Sequence, residues 1–391
     1  METSDAPGAL PESPMRGWKL LQAFARRLEE AALRHAAAAT EADPRRRLHR
    51  GEYLSLLLFG LWNPVVETMR GLCAATHLQR LQQEVCARPV SLGSFSEAQA
   101  VIDPALLESV LGELSQEAGR AASLAAGQEP LRALGRTLCA IDSSLWRALP
   151  RMGWALWRTQ AGVRQRAVRL HVKFCLLHRL PLSARATEGA LCERKAWKAL
   201  ARAGDFFVAD RYYGEDYRLL EELDARGVFF LVRLREAVCF VRERALALEA
   251  EDEAAGVQEH WLVRLGRAGR GPALRLIEVA GEETTLLLAT NQPLERLPAG
   301  LAALLYRQRW QVELFFRWIK CILGCRHFFC ESERGVALQL YLALIGALLV
   351  VLYLGRRPSR REMELLRFYF LGYASLEETC RLLTLNPDHP P

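Results

Sequence analysis

The chain has 391 residues, 51% hydrophobic and 25% charged, a globular composition too long for one ordinary core and pointing to two or three domains. Its 52 Lys and Arg against 45 Asp and Glu leave a net charge of +7, compatible with a polyanionic partner but not specific for one. The 10 cysteines have no regular spacing, which argues against a disulfide framework. The opening METSDAPGALPESP lacks the basic-then-apolar pattern of a secretory signal, so a cytoplasmic protein with reduced thiols is expected.

In chain order, residues 1–15 are rich in Pro, Gly and Ser and are expected to be disordered. An all-helical N-terminal region then covers 16–130. MRGWKLLQAFARRLEEAALRHAAAA has helical spacing, another helix follows from Tyr53, and Ser96 and Pro104 read as helix starts. Between the first two helices lies a basic cluster, Arg45, Arg46, Arg47 and Arg50. It reads either as a phosphate-binding part of a DNA-end recognition region or as a solvated linker.

Near 131 the pattern changes. Thr137–Asp142 (TLCAID), Trp154–Thr159 and Val168–Leu177 read as strands, Leu191–Arg202 as helix, and Asp205–Asp210 (DFFVAD) as a second apolar run ending in an acid. Tyr217–Arg226 is helical with Gly227 as its C-terminal cap, and Val228–Leu234 is again strand-like. Three consecutive strands followed by alternating helix and strand predict a mixed α/β sheet with flanking helices, spanning 131–330. Within it, 236–285 reads as a β-rich insertion with strands at Trp261–Leu265 and Leu274–Val279. Leu286–Thr290 returns to a buried strand, and one long helix is expected from Leu297 through Lys320. A helical segment, 331–391, completes the chain. Its apolar run Leu338–Leu354 is just long enough to span a membrane, but it reads better as a core helix, so no membrane partner is expected.

Asp142 and Asp210 each end a short apolar strand. Such a strand delivers its last residue to the sheet edge, the usual functional crevice where parallel strands are present. Two acids brought together there suit a hard cation such as Mg²⁺. Strand-end aspartates are also common as turn formers, so alone they decide nothing. On the long helix, Tyr306, Arg309, Glu313 and Lys320 follow at steps of three, four and seven, along one face, with Arg317 beside them. That stripe is either a metal-ligating carboxylate among phosphate-binding cations or a solvated face with i,i+4 pairs such as Arg309–Glu313 and Glu313–Arg317.

The pattern Y-x-x-R-x-x-x-E-x-x-x-x-x-x-K, from Tyr306 to Lys320, resembles the Tyr-Arg-Glu-Lys signature of the type-four family of insertion-sequence DDE transposases. IDSSLWRAL around Asp142 and FFVADRYYGEDYRLLEELDARGVFFLVRLR around Asp210 are similar to that family's first and second aspartate motifs, and LLLATNQPL before the helix also agrees. The resemblance covers roughly residues 137 to 350. It implies an RNase H-like catalytic domain and cut-and-paste transposition with two Mg²⁺ or Mn²⁺ ions at a triad of Asp142, Asp210 and Glu313. It further implies DNA contacts from Tyr306, Arg309, Lys320 and Arg317. The partners implied are the terminal inverted repeats and target DNA, bound by a homodimer in a bacterial cytoplasm. Water would cut the transposon end, and the freed 3′-hydroxyl would attack the target. One departure stands out: Asp210-Arg211-Tyr212-Tyr213 has Tyr where the family often has Gly, and Tyr does not reach positive φ cheaply.

Two rival readings share the fold: an inactive, transposase-derived DNA-binding protein, and a nuclease that cuts without joining. Cys321, Cys325, His327 and Cys330 lie close in sequence but lack paired C-x-x-C spacing, and reduced thiols are favoured over zinc. His171 and His178 read as ordinary packed residues, and Trp154, Trp157, Trp310 and Trp318 as packing aromatics rather than base-stacking platforms.

Overall fold

The structure is a computed structural model that describes residues 19–35, 47–63, 65–121, 129–135, 137–159, 162–281, 284–321 and 328–384. The segment expected to be disordered, together with Arg45, Arg46, Cys325, His327 and the side chain of Cys321, lies outside the described residues.

The first six helices are α1 (Lys19–His35), α2 (Arg50–Trp62), α3 (Met69–Ala75), α4 (Gln79–Glu84), α5 (Leu92–Val101) and α6 (Pro104–Ala121). Pro104 opens α6 as expected, because the missing N–H of a first helical residue costs nothing. The start expected at Ser96 falls earlier: Ser91 is the cap, its hydroxyl accepting from the Ser94 amide at 3.1 Å. Then come α7 (Glu129–Arg132), β1 (Leu138–Arg147), β2 (Leu156–Arg158), β3 (Arg164–Cys175), β4 (Leu180–Glu188), α8 (Glu193–Leu200), β5 (Phe206–Ala209), α9 (Tyr217–Ala225) and β6 (Phe229–Arg233). Next are β7 (Phe240–Ala245), α10 (Ala250–Ala254), β8 (Val257–Leu265), β9 (Ala273–Val279), β10 (Leu286–Thr290), α11 (Ala299–Gln308), α12 (Trp310–Cys321), α13 (Glu333–Leu354), α14 (Arg360–Leu371) and α15 (Leu376–Thr384).

The chain forms two compact units, Met1–Leu114 with Trp318–Pro391, and Ser115–Arg317. Within the first, α13 is long and apolar enough to cross a membrane, yet its residues from Leu338 to Val351 are all buried, and it packs against α2 and α5 of that unit. Gly346 lies against α2, where an added Cβ would stand 3.2 Å from the Trp62 ring. The apolar run therefore serves as a core helix.

The second unit is built on one ten-stranded sheet, β2-β3-β1-β5-β6-β10-β9-β8-β7, with β4 pairing β3. β1, β5 and β6 are mutually parallel neighbours, and every other pairing is antiparallel. The path β4-β3-β1-β5-β6, three antiparallel strands and then two parallel additions, is the RNase H-like arrangement. The β-rich stretch does not stand apart: β9 pairs β10, so β7–β9 prolong the same sheet.

Side-chain alternation sends Cys139, Ile141, Phe207 and Ala209 to one face, under Trp197 of α8 and Leu220 and Leu223 of α9. The other face carries Asp142, whose register partner is Val172, together with Phe174 and Trp146. Phe315 and Phe316 of α12 pack there, at ring centroid distances of 5.1 Å from Phe174 and 6.4 Å from Trp146. This packing brings α12 over the strand that bears Asp142.

In the second unit the element reading differs from the structure in these respects. β1 runs five residues past Asp142, so that acid sits mid-strand rather than at the strand's end. β4 and α10 carry no signal that the reading used. The single helix expected from Leu297 to Lys320 breaks into α11 and α12 at Arg309, where the Arg309 amide bonds the Tyr306 carbonyl at 3.1 Å and the Val312 amide bonds the Arg309 carbonyl at 3.2 Å. These are i→i+3 bonds, a tightened turn that interrupts one continuous helical stripe.

Candidate active site

The site starts from the pairing of β1 with β5. Ala140 lies opposite Val208, so two residues further along both strands Asp142 and Asp210 come side by side. β5 ends at Ala209, leaving Asp210 as the first residue beyond it. Each acid is braced by its own backbone: Asp142 Oδ1 accepts from the Ser143 amide at 2.7 Å, and Asp210 Oδ1 from the Tyr212 amide at 3.0 Å.

The Tyr in place of the family's Gly causes no strain. Tyr212 sits at φ −63°, ψ −37°, ordinary right-handed backbone, so the turn never calls for positive φ. The close approach is made two residues later, at Gly214, where an added Cβ would stand 2.4 Å from the Arg233 carbonyl oxygen of β6.

Of the helix residues, Arg309 and Glu313 form an ion pair at 2.8 Å. The Arg309 guanidinium lies 5.9 Å from the Tyr306 ring centroid, and its charge also reaches Asp142. Tyr306 is close enough to Asp210 and Arg233 to feel both charges. Asp142, Asp210, Tyr306, Arg309 and Glu313 are thereby gathered in the second unit. Arg317, the last residue of that unit, is exposed and pairs with no described carboxylate, so the Glu313–Arg317 alternative is not realised. Lys320 belongs to the first unit by the same division.

Burial pushes the Asp142 carboxyl up to about 7, with Asp210 and Glu193 adding to the rise while Arg309 and the Ser143 amide oppose it. A carboxyl raised by desolvation among other acids is short of positive charge. Among the described residues, no three carboxylate, imidazole or thiol groups stand close enough to hold one metal ion together. The oxygen-only chemistry nevertheless fits a hard divalent cation. What keeps the set open is Arg309, which occupies the Glu313 carboxylate and supplies part of the positive charge the cluster lacks.

Sequence reasoning missed a fourth acid, Glu193. Glu193, the first residue of α8, receives the Tyr213 hydroxyl at 3.2 Å and pairs with Arg169 of β3. Arg169 also donates to the Ser143 hydroxyl at 3.0 Å and to the Gly189 carbonyl at 3.2 Å. Glu193, Tyr213, Arg169 and Ser143 thus tie the residues following both aspartates into one network. Its signal in the sequence was faint, since Glu193 reaches the site only because the unread strand β4 leads into α8.

The remaining candidates fall elsewhere. His171 is fully buried, bonds the Thr187 hydroxyl at 3.1 Å and is held neutral, its value lowered by burial to about 3. Trp318 is buried under Arg357 in the first unit, whereas Trp310 is 48% exposed and not the packing aromatic expected. Arg47 is exposed and Arg50 half-buried.

With this geometry in hand, comparison with known proteins is informative. A sequence profile of the transposase DDE domain matches residues 133–349, more than half of the chain, and the chain belongs to that family. A Sinorhizobium fredii protein that carries a transposase name, y4zB, is 29% identical over 250 residues, covering 61% of this chain and 67% of its own length. A Geobacillus stearothermophilus protein, also named as a transposase, for insertion sequence element IS5377, is 24% identical over 223 residues, covering 57% of this chain and 56% of its own. This chain therefore spans little more than half the length of that second relative. Among solved structures, the cryo-EM piggyBac transposase synaptic complex with hairpin DNA aligns at a TM-score of 0.40 and 11% identity, over 97% of this chain and 83% of that one. That likeness is too distant to bear on the fold, which rests on the strand order itself.

Proposed function

We propose that the protein is an insertion-sequence transposase of the type-four kind, cleaving DNA at terminal inverted repeats and joining the freed ends to target DNA. The observation that carries this reading is the pairing of β1 with β5 in parallel, which sets Asp142 beside Asp210 just past the end of β5, with Arg309, the ion-pair partner of Glu313, reaching Asp142. Family membership and the strand order support it.

In this reading Asp142, Asp210 and Glu313 are the catalytic acids and would hold Mg²⁺ or Mn²⁺, two ions in the active form. The metal, when bound, supplies Lewis acidity and charge neutralisation at the scissile phosphate. The protein's residues do the rest. Arg309, now paired with Glu313, would supply positive charge to phosphate oxygens beside the acids. Tyr306 and the exposed Arg317 meet the DNA end, and Lys320 is assigned to the same task from the signature alone. The Glu193 network holds Ser143 and Tyr213, and through them the strand after Asp142 and the turn after Asp210. A homodimer bridging paired ends in the bacterial cytoplasm, close to the nucleoid, completes the proposal.

A strand-transfer assay tests it: a duplex ending in the element's terminal repeat, a supercoiled target plasmid and Mg²⁺. Joined product that disappears with EDTA supports the reading. Cut but never joined ends would support the nuclease instead, and bound but uncut DNA the inactive descendant.

A further inference from the structure

The second unit contains a groove of about 1180 Å³ that the catalytic cluster does not use. Besides Arg169, which pairs with Glu193, four arginines line it: Arg147 of β1, Arg158 of β2, and Arg164 and Arg166 of β3. None of the four pairs with a carboxylate of any described residue, and three of them are exposed. Arg158 and Arg164 are direct cross-strand partners. Like charges so opposed destabilise a strand pair, and an anion bridging them would remove the penalty.

Two aromatic side chains share the lining, the half-buried Trp157 and the exposed Tyr212. Arg194 stacks on Tyr212 at 4.4 Å and fixes the ring. Gly189 makes the wall possible, because a Cβ there would stand 2.9 Å from the Trp157 Cβ. The groove begins at the catalytic cluster: Arg169 and Glu193 belong to its lining and also to the network on Ser143 and Tyr213, while Tyr212 lies two residues beyond Asp210.

A basic channel with aromatic faces is the form that binds single-stranded nucleic acid, whose phosphates meet cations and whose unpaired bases stack. A duplex hides its bases and would leave Trp157 and Tyr212 without a role. We infer that this groove holds a single-stranded stretch of DNA leading away from Asp142 and Asp210, with Arg147, Arg158, Arg164 and Arg166 on its phosphates and Trp157 and Tyr212 on its bases. This inference rests on the transposase reading for the identity of the strand.

The test uses the full chain in EDTA, so that no cleavage intervenes. A fluorescein-labelled thymidine oligonucleotide of about 12 nucleotides is titrated by anisotropy over a range of salt, beside the terminal-repeat duplex. Arg158→Ala/Arg164→Ala/Arg166→Ala is expected to weaken the single strand by about ten-fold or more and to flatten its salt slope by about two units, leaving duplex binding unchanged. A 5-iododeoxyuridine oligonucleotide, photo-crosslinked to the wild-type chain, is expected to mark Trp157 or Tyr212. Single-strand affinity and slope unchanged in the triple variant, or crosslinks mapping to other residues, would overturn the inference. Equal weakening of the duplex would also overturn it, by making the groove a general cationic surface. Duplex bound by the wild type without any single-strand binding removes the groove but leaves the transposase reading in place. Binding of neither form removes both.

Discussion

Strand β5 has one aspartate just before its first residue and another just after its last. Asp205, at the entry, is 6% exposed and receives the Lys173 ammonium on both carboxylate oxygens at 2.7 Å, with the Arg202 amide also at 2.7 Å. Asp210, at the exit, bonds only its own turn among the described residues and lies within charge range of Asp142 and Tyr306. Charge is balanced at the entry, and nothing there invites a ligand. At the exit negative charge is in excess and the backbone opens toward solvent. The contrast shows how to tell an acid that holds a fold from one available for chemistry: the question is what already occupies its oxygens, not how deeply it lies.

Breaking the entry pair should cost stability. Lys173→Met leaves Asp205 buried and uncompensated, which is expected to destabilise the second unit by about 3–5 kcal/mol. Lys173→Met with Asp205→Asn should recover part of that loss. Denaturant midpoints of the two variants check this, and an unchanged midpoint in the single variant would dissolve the contrast between the two ends.

A smaller effect belongs to the exit. Burial holds the folded-state value of Asp142 at about 7, above the ordinary carboxylate range. Through that window the folded protein keeps a proton that the unfolded chain has lost. Metal-free stability should therefore be greatest below the ordinary carboxylate value and fall as pH rises towards 7, levelling off above it. Allowing for partial exposure, the change is on the order of 1 kcal/mol. Asp142→Asn should flatten it, measured as unfolding midpoints in EDTA between about pH 5 and pH 8. An unchanged slope in that variant would assign the titration to another group.

Much of this was legible in the residues, and what was not has identifiable causes. TLCAID and DFFVAD are dense apolar runs ending in acids, so the two parallel strands and their aspartates could be read directly. Gly227 marked the end of α9 because a C-terminal cap needs positive φ, here 69°. β4 escaped because LPLSARATE alternates weakly and carries Pro181, a residue tolerated there because β4 pairs on one side only. With β4 unread, Glu193 could not be placed. The break at Arg309 has neither Gly nor Pro to announce it; it shows only in the i→i+3 bonds there, with α12 beyond it packed through Phe315 and Phe316. The groove is likewise a product of β2–β3 pairing, which sets Arg158 opposite Arg164, a juxtaposition that composition does not show.

The central claim is that the open acids at the exit of β5, with Glu313 above them, perform DNA cleavage. Cleavage of a labelled terminal-repeat duplex in Mg²⁺ by wild type and by Glu313→Gln tests it most directly. That change keeps the side-chain shape and removes the charge that Arg309 now holds. The account predicts metal-dependent cutting by wild type, a loss of about 10³-fold or more in the variant, and DNA binding retained by both. Equal cutting by the two proteins would contradict it.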